Sequence, residues 1–401
     1  MRILLLSLFY KPEPVARPHD LAMTLEQLGH KVSVVTAYPN YPDGQIYPGY
    51  HFGPSKWEEI DNVKVLRIPH RIDRSRSAFR RVLSYFSFSL SAIYSSLRYI
   101  QKPDALWTYQ IGLPGIILSK LWKVPLIHEV QDLWPDWGIT SDIGLKKAAY
   151  RLLENEEHFV FHHAPSIVTI TEGFKSILMK KGVKPDKIHV IPNWANDSTF
   201  HPFESDAKMA QEEDFEGFFN IVYVGNIGIA QALGVVLDAA VLLQGSPDIH
   251  FVIIGDGVER SELERRAQQM GLDNVRFLGS RSQSDAARYM ALADVLLIHL
   301  KRDPVFEITI PSKTYGYLAA GRTILAATEG ESAKLIQYLH AGVVCSPEDP
   351  VALAKTVLEV RKMPKGELEK MGHAGYMAVK SRYSRAIIGK AYSDLFESMV
   401  N

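Results

Sequence analysis

Short apolar runs alternate along the chain with segments whose leucines recur at helical spacing. Residues 2–10, "RILLLSLFY", and 31–38, "KVSVVTAY", are nearly continuous apolar runs, which is typical of buried strands. Between them Leu21, Leu25 and Leu28 recur at helical intervals, and a glycine follows as a helix stop. The pattern therefore predicts a strand, a helix and a second strand.

The same alternation continues through the first half of the chain. Further strand candidates lie at residues 63–68, 104–109, 125–130, 166–171 and 187–192. Buried β-rich runs separated by helices predict a parallel sheet flanked by helices. The polar, acidic stretch "ESDAKMAQEEDFEG" then shows no apolar periodicity, which indicates a linker.

A second set of strand candidates follows, at residues 219–228, 249–257, 274–280, 293–300, 321–328 and 342–347. The expected fold class is α/β, with two Rossmann-like doubly wound domains around a cleft, where ligands bind at the carboxyl ends of the strands. The predicted boundaries are a first domain over 1–200, a linker over 201–216, a second domain over 217–381 and a final helix over 382–401.

Composition narrows the class of protein. A chain of 401 residues, 46% hydrophobic and 22% charged, is globular and too long for one ordinary core. Basic and acidic residues number 45 each, so the chain has no net positive charge that would attract nucleic acid. The lone Cys345 excludes internal disulfides and thiolate metal clusters. Lys11 and Pro12 interrupt the first apolar run, which we interpret as a strand and not as a targeting segment.

Two glycine turns follow predicted strands in the second half. In "YVGNIGIAQAL", Gly225 and Gly228 would let backbone N–H groups approach a phosphate, although glycines are also common at strand exits. In "VIIGDGVERSEL", Gly255, Asp256 and Gly257 form a similar turn. Arg260 stands where the dinucleotide fingerprint has its third glycine, which argues against a nicotinamide enzyme.

The segment "FEITIPSKTYGYLAAG" carries the most chemistry. Pro311 suits the first turn of a helix, and Ser312 and Lys313 would lie at its positive end, where a diphosphate is stabilised. Glu307, just upstream, is able to accept hydrogen bonds from sugar hydroxyls. The alternative is that Lys313 is a solvated lysine and Glu307 an ordinary loop residue.

The segment "LIHEVQDLWPDWG" gathers His128, Glu129, Asp132 and Asp136 at the end of a predicted strand. A carboxylate there would orient an acceptor hydroxyl or stabilise positive charge on a sugar ring. The alternative is that Asp132 caps the next helix. His128 is expected to point into the sheet and not at a metal.

A basic stretch precedes a charge-free, aromatic one. Residues 64–81 hold seven basic side chains against one acid, and residues 82–97 carry no charge: the basic ones are Lys64, Arg67, Arg71, Arg74, Arg76, Arg80 and Arg81. On a helix, Ser84, Ser87, Ser91 and Ser95 would form one stripe. The pattern predicts peripheral contact of residues 71–97 with an anionic membrane surface, or else a helix buried between layers with its serines inward.

Six segments in this order resemble one family: "GHKVSVVTAYPNYPDGQIYPGY", "QDLWPD", "GVKPDKIHVIPNWANDSTFHP", "GNIGIAQAL", "VIIGDGVERSELERRAQQMGLDNVRFLG" and "PSKTYGYLAAG". The chain resembles the retaining, two-domain GT-B glycosyltransferases of family four, in their bacterial surface-polysaccharide, fucosamine-transferase-like branch. The resemblance covers nearly the whole chain. It implies a nucleotide-sugar donor, usually UDP-linked, no metal or other cofactor, and a final helix that crosses back to the first domain.

The resemblance also implies site residues. The candidate donor-binding residues are Gly225, Asn226, Gly228, Gln231, Gly255, Asp256, Gly257, Ser280, Arg281, Pro311, Ser312, Lys313 and Tyr315. Among them, the turn at Gly225 would face the diphosphate, and the backbone around Ser280 would meet the base. The candidate catalytic residues are Asp132, Lys313 and Glu307.

The chain departs from the family pattern at several positions. The family glutamate that holds the ribose hydroxyls aligns with Gly316, and Glu307 lies one place ahead of the other expected glutamate. Val15–Arg17 replace a common Gly-Gly turn, and Gln131 replaces a frequent histidine. Losing a carboxylate that accepts two hydroxyl bonds costs ~2–3 kcal/mol of binding, or roughly 30- to 150-fold.

The leading hypothesis is retaining transfer from a nucleotide sugar to a lipid-linked or polysaccharide acceptor, by a cytoplasmic protein at the inner membrane face. One alternative is a transferase-like scaffold or binding subunit that has lost turnover, as Gly316 suggests. A further alternative, which the motifs disfavour, is a sugar-nucleotide epimerase on the same architecture.

Overall fold

The computed structural model describes residues 1–73, 78–132 and 147–400 of the chain. These residues form two compact units. The N-terminal unit comprises residues 1–192 together with the C-terminal residues from 388 onward, and the C-terminal unit comprises residues 193–387. Each unit is built around its own sheet.

The N-terminal unit contains an eight-stranded sheet in the order β3-β4-β2-β1-β5-β6-β7-β8. Its strands are β1 (Arg2–Ser7), β2 (Lys31–Ala37), β3 (Lys56–Ile60), β4 (Val63–Ile68), β5 (Ala105–Tyr109), β6 (Leu126–Val130), β7 (Ser166–Thr169) and β8 (Ile188–Val190). All pairings are parallel except that of β3 with β4. Parallel strands need cover on both faces, which explains their continuous apolar runs.

Helices pack against this sheet. Their bounds are α1 (Ala16–Gln27), α2 (Ala78–Tyr99), α3 (Leu113–Trp122), α4 (Lys147–His163), α5 (Glu172–Lys180) and, at the end of the chain, α15 (Arg385–Val400). In α15, Tyr392 and Phe396 are fully buried. The last part of α15 therefore belongs to the core of the N-terminal unit.

The C-terminal unit contains a six-stranded parallel sheet in the order β11-β10-β9-β12-β13-β14. Its strands are β9 (Phe219–Val224), β10 (Ile249–Ile254), β11 (Val275–Gly279), β12 (Val295–His299), β13 (Thr323–Ala327) and β14 (Gly342–Cys345). Its helices are α6 (Ala207–Glu212), α7 (Gly234–Leu242), α8 (Arg260–Gln269), α9 (Gln283–Leu292), α10 (Pro304–Glu307), α11 (Ser312–Ala320), α12 (Gly330–Tyr338), α13 (Pro350–Arg361) and α14 (Lys365–Ala378). The prediction of two Rossmann-like parallel sheets is confirmed.

One strand lies outside the predicted set. The edge strand β3, "KWEEI", pairs antiparallel with β4 and has no fully buried residue. Trp57 in this strand is 41% exposed. A solvated edge strand needs no apolar run, so the pattern that revealed the other strands was missing here.

The segment 201–216, predicted as a linker, lies in the C-terminal unit and includes α6. The Asp206 side chain caps α6 by accepting a hydrogen bond from the backbone N–H of Met209, 3.0 Å away. Phe215, which follows, is buried in the core. A cap and one aromatic anchor hold this segment, and neither produces apolar periodicity.

Helix α2, which holds most of the predicted membrane-surface segment, has one buried face and one exposed face. Phe88, Ser84 and Ser95 are buried against the unit, as the inward-serine alternative expects. Leu90 is 69% exposed and Tyr94 is 66% exposed. Within the described ranges, every helix is too short or too polar to cross a bilayer. The side chains of Arg74, Arg76 and Arg81 lie outside the part of the chain that the structure describes.

Candidate functional site

The two glycine turns of the C-terminal unit pack directly on each other. Gly225 and Gly255, which follow β9 and β10, have φ of +140° and +144°, a region that favours glycine. A Cβ on Gly255 would lie 1.9 Å from the Gly225 carbonyl oxygen, and one on Gly257 would lie 2.2 Å from that of Ile227. The glycines are therefore required for the close approach of the two backbones, whatever else they bind.

Lys313 reaches this pair of turns from α11. Its Nζ donates a hydrogen bond to the hydroxyl of Tyr223 and lies 3.7 Å from the centre of that ring. A Cβ on Gly225 would lie 2.8 Å from the same Nζ. The amine therefore rests on the turn after β9, which brings two of the predicted donor-binding residues together, and the role of Lys313 in phosphate binding stays a prediction.

Burial dominates the electrostatics of this lysine. Loss of solvent lowers the pKa of Lys313 from 10.5 to about 7. The face of the Tyr223 ring favours the charged amine and opposes this shift. A bound anion beside Nζ would restore the charge, because an opposite charge at contact raises the pKa of an amine.

The rest of the β9 turn is held from inside the unit. The Gln231 side chain accepts hydrogen bonds from the backbone N–H of Gly228 at 3.1 Å and from the Asn226 amide at 3.2 Å. The Gln231 carbonyl oxygen lies 2.8 Å from His299 Nδ1, at the end of β12. The backbone N–H of Lys301 donates to the Ala230 carbonyl at 2.9 Å. Gln231 thus contacts the predicted turn and fixes its shape.

The other predicted donor residues are spread over the C-terminal unit. Ser280 and Arg281 are exposed after β11, where the Arg281 guanidinium donates to the Ser280 carbonyl at 3.2 Å. Glu307 is exposed at the end of α10. Tyr315 is only 1% exposed and packs on the ring of Tyr383, so its side chain belongs to the core and not to a ligand surface.

Gly316 is buried one turn after Lys313 in α11. A Cβ there would lie 3.5 Å from Cδ2 of Phe200, an ordinary contact distance. The position that resembles the family's ribose-binding glutamate is therefore covered by an aromatic side chain.

The N-terminal unit holds a cavity of about 440 Å³ beside the ends of β5 and β6. Its wall combines aromatic rings with carboxyl groups. The rings belong to Phe9, Tyr41, Tyr85, Phe86, Tyr109 and Phe161, and the carboxyl groups to Glu129, Asp132, Glu156 and Glu157. A concave site of this size is typical of small-molecule binding.

Burial makes two of these carboxyl groups weak acids. It raises the pKa of Asp132, although a hydrogen bond from the Gln110 side chain opposes the shift. It raises the pKa of Glu156 to about 7, against a hydrogen bond from the backbone N–H of Leu113. His128, 3% exposed within the sheet, has its pKa lowered by burial to about 4 and is neutral at physiological pH.

Glu129, in the wall of the cavity, is the centre of a buried polar network. Its carboxylate accepts hydrogen bonds from Arg17 Nε at 2.7 Å, Trp107 Nε1 at 3.0 Å, the Tyr392 hydroxyl at 2.8 Å and Gln131 Nε2 at 2.6 Å. Arg17 also donates to the Tyr392 hydroxyl at 2.7 Å. Two departures from the family pattern, Arg17 and Gln131, thus bind the same carboxylate.

Sequence reasoning missed several of these residues. Glu156 and Arg17 were not among the candidates, nor was Tyr223, which binds Lys313. Asp136 lies outside the described residues. Across residues 1–73, 78–132 and 147–400, no group of three or more His, Cys, Asp or Glu side chains forms a metal-binding cluster.

The comparisons with known proteins agree with this architecture. Residues 14–194 match a family described as "Glycosyl transferase 4-like domain", and residues 219–362 match "Glycosyl transferases group 1". With the two Rossmann-like sheets, these matches place the chain among the GT-B glycosyltransferases.

Individual proteins extend the likeness. The chain is 28% identical over 386 residues to the putative colanic acid biosynthesis glycosyl transferase WcaI of Escherichia coli, covering 91% of this chain and 93% of that protein. The structure of sucrose-phosphate synthase from Thermosynechococcus elongatus superposes with a TM-score of 0.76 at 16% identity, over 99% of this chain and 98% of that one. Anabaena HepE in complex with UDP and glucose gives 0.72 at 15%, over 99% and 100%. At these identities, the two structures show the fold alone.

Proposed function

We propose that this protein transfers a sugar with retention from a UDP-linked donor to a lipid-linked or polysaccharide acceptor in cell-surface glycan biosynthesis. The observation that carries the proposal is the half-buried Lys313 side chain, whose amine rests on the Gly225 turn. The similarity to a relative named for colanic acid biosynthesis supports the pathway class. The fold shared with a protein seen with UDP supports the donor class.

The chemistry places developing negative charge beside Lys313. When the bond from the anomeric carbon to the diphosphate breaks, the leaving oxygen gains charge, which Lys313 and the start of α11 stabilise. The leaving oxygen accepts the proton of the acceptor hydroxyl as that hydroxyl bonds to the anomeric carbon on the same face. The protein supplies orientation and charge stabilisation, and the step needs no metal.

The acceptor side of the reaction uses the cavity of the N-terminal unit. Asp132 and Gln110 both line that cavity. We assign Asp132 the role of positioning the acceptor hydroxyl. Glu307, exposed on α10, would accept hydrogen bonds from donor sugar hydroxyls.

Contact with the cytoplasmic face of the membrane would involve α2. Leu90 and Tyr94 form an exposed apolar face on this helix, and Arg71 and Arg80 are exposed near its start. Aromatic and aliphatic side chains enter the interface between headgroups and acyl chains, while arginines bind anionic headgroups. Such contact would bring a lipid-linked acceptor to the protein.

A transferase-like scaffold without turnover is the second candidate, and the covered Gly316 position favours it. The decisive experiment supplies a panel of nucleotide sugars together with a membrane lipid extract, and follows UDP release and product mass. Transfer with release of UDP supports the enzyme, and EDTA should leave the rate unchanged. A folded protein that binds UDP but releases none across the panel is the scaffold.

A further inference from the structure

The end of strand β12 carries a buried histidine that has no part in the proposed chemistry. We propose that His299 is a positioning residue, which holds the turn after β9 in the shape that binds the diphosphate of the nucleotide-sugar donor. The inference rests on the proposed function, because it takes residues 225–231 as the diphosphate site. His299 is only 1% exposed, so it acts through its neighbours and not by touching the ligand.

The sheet places His299 beside this turn. Strand β12 pairs with β9 in parallel, with Val295 opposite Ile221, so the carboxyl ends of the two strands lie at the same edge of the sheet. His299 is the last residue of β12 and the only polar one in "VLLIH", a strand whose five residues are all buried. A polar side chain in such a place needs hydrogen-bond partners, because burying it unpaired is unfavourable.

Both ring nitrogens of His299 have a partner. Nδ1 lies 2.8 Å from the Gln231 carbonyl oxygen, and Nε2 lies 3.4 Å from the backbone nitrogen of Glu348. A carbonyl oxygen only accepts and a backbone N–H only donates, so the neutral ring carries its proton on Nδ1. Glu348 is itself held, since its carboxylate accepts a hydrogen bond from the backbone N–H of Arg302 at 2.6 Å. The imidazole is therefore fixed with its N–H directed at Gln231.

Gln231 connects His299 to the glycine turn. Its side-chain oxygen accepts hydrogen bonds from the backbone N–H of Gly228 at 3.1 Å and from the Asn226 amide at 3.2 Å. The histidine holds the backbone of Gln231, and the side chain of Gln231 holds the turn. A shift of Gln231 would therefore displace Asn226 and Gly228, two of the predicted donor-binding residues.

The backbone directly after Gln231 is strained. Ala232 has φ of +44°, a left-handed conformation that residues with a Cβ rarely adopt. Such a conformation persists only where surrounding contacts hold it. His299 supplies one contact, and the backbone N–H of Lys301 supplies another by donating to the Ala230 carbonyl at 2.9 Å. Loss of the Nδ1 donor would therefore let this end of the turn relax.

The test uses two amides that place a nitrogen at different positions of the ring. The side-chain nitrogen of asparagine takes the place of Nδ1, whereas that of glutamine takes the place of Nε2. His299→Gln should therefore lose the bond to Gln231 and weaken UDP binding about tenfold in calorimetry, whereas His299→Asn should stay within about twofold of wild type. His373→Gln, at an exposed position of α14, is the matched control and should bind UDP as wild type does.

Uridine, which lacks the diphosphate, separates positioning from general damage to the unit. Its affinity, measured by NMR titration, should be the same for wild type and both His299 variants, because the turn is assigned to the diphosphate alone. Damage to the fold would weaken both ligands and lower the melting temperature. Gln231→Ala, at a half-buried position, breaks the next link of the same chain and should also weaken UDP and not uridine, even if His299→Gln does not fold.

Three outcomes overturn the inference. One is that the folded His299→Gln or Gln231→Ala protein binds UDP as wild type does. Another is that UDP and uridine weaken equally, and the third is that His299→Asn binds UDP no better than His299→Gln. Sugar transfer is measured in parallel: UDP binding that depends on His299 in a protein without transfer refutes the proposed function alone. Transfer by a protein whose UDP affinity is insensitive to His299→Gln refutes this inference alone.

Discussion

Binding of UDP should be accompanied by uptake of a proton at Lys313. With its pKa lowered by burial to about 7, about one tenth of Lys313 is protonated at pH 8 in the free protein. A diphosphate in contact with Nζ returns the pKa towards its ordinary value, so about 0.9 proton is taken up per UDP. At pH 8 the diphosphate itself is already ionised and supplies none.

Calorimetry in two buffers of different ionisation enthalpy measures this uptake directly. At pH 8 the binding heats in Tris and HEPES should differ by about 0.9 times the difference between the ionisation enthalpies of the two buffers. Lys313→Met should abolish the difference and weaken binding by about 1.5–3 kcal/mol, or roughly 10- to 150-fold, since it removes a hydrogen bond to a charged group. Lys334→Met, at an exposed position of α12, is the control and should change neither quantity.

The same variant has a predictable effect on stability. The folded pKa of Lys313 lies below its unfolded value, so the unfolded chain binds the additional proton between about pH 7 and 10.5. The free energy of unfolding of the wild type therefore gains up to about 1.4 kcal/mol per pH unit across that window, and Lys313→Met should lack this contribution. Tight UDP binding without proton exchange, together with equal pH slopes for both proteins, would refute the lowered pKa of Lys313.

Three further predictions concern the buried ion pair, the Gly316 position and the exposed face of α2. Arg17→Ala leaves Glu129 buried without its ion-pair partner and should lower the unfolding free energy by about 3–5 kcal/mol in urea titrations; a loss below 1 kcal/mol would contradict the network. Gly316→Glu alone should not tighten UDP binding in calorimetry, because the aromatic ring over this position blocks the carboxylate; tighter binding would show that the ring moves aside. Replacing both Leu90 and Tyr94 with serine should release the protein from anionic vesicles in sedimentation assays with the melting temperature unchanged; retained binding would assign them no membrane role.

Periodicity predicted most of the fold because parallel sheets bury both faces of their strands. The same pattern missed elements whose structure does not depend on the spacing of apolar residues. The edge strand β3 is solvated, and the segment around α6 is held by the Asp206 cap and by Phe215. No local pattern marks such elements as ordered.

The candidate site was only partly predictable for a related reason. Lys313 and Gly225 each carried a local signal, but their contact arises from the placement of α11 beside the end of β9. Glu156 lies in the polar run "ENEEH", where no property of one glutamate distinguishes it from its neighbours. Its only signal is its helical spacing from Leu153 and Val160, which also face the cavity.

The hydrogen bond from Tyr392 to Glu129 has a consequence for folding during translation. A ribosome has already translated Arg17 and Glu129 long before it reaches position 392, yet the carboxylate receives one of its donors only from that tyrosine. A nascent chain that stops short of this position carries a desolvated acid with an unfilled acceptor site. Truncation or a bulky fusion near the carboxyl terminus should therefore destabilise the packing around Arg17, near the amino terminus.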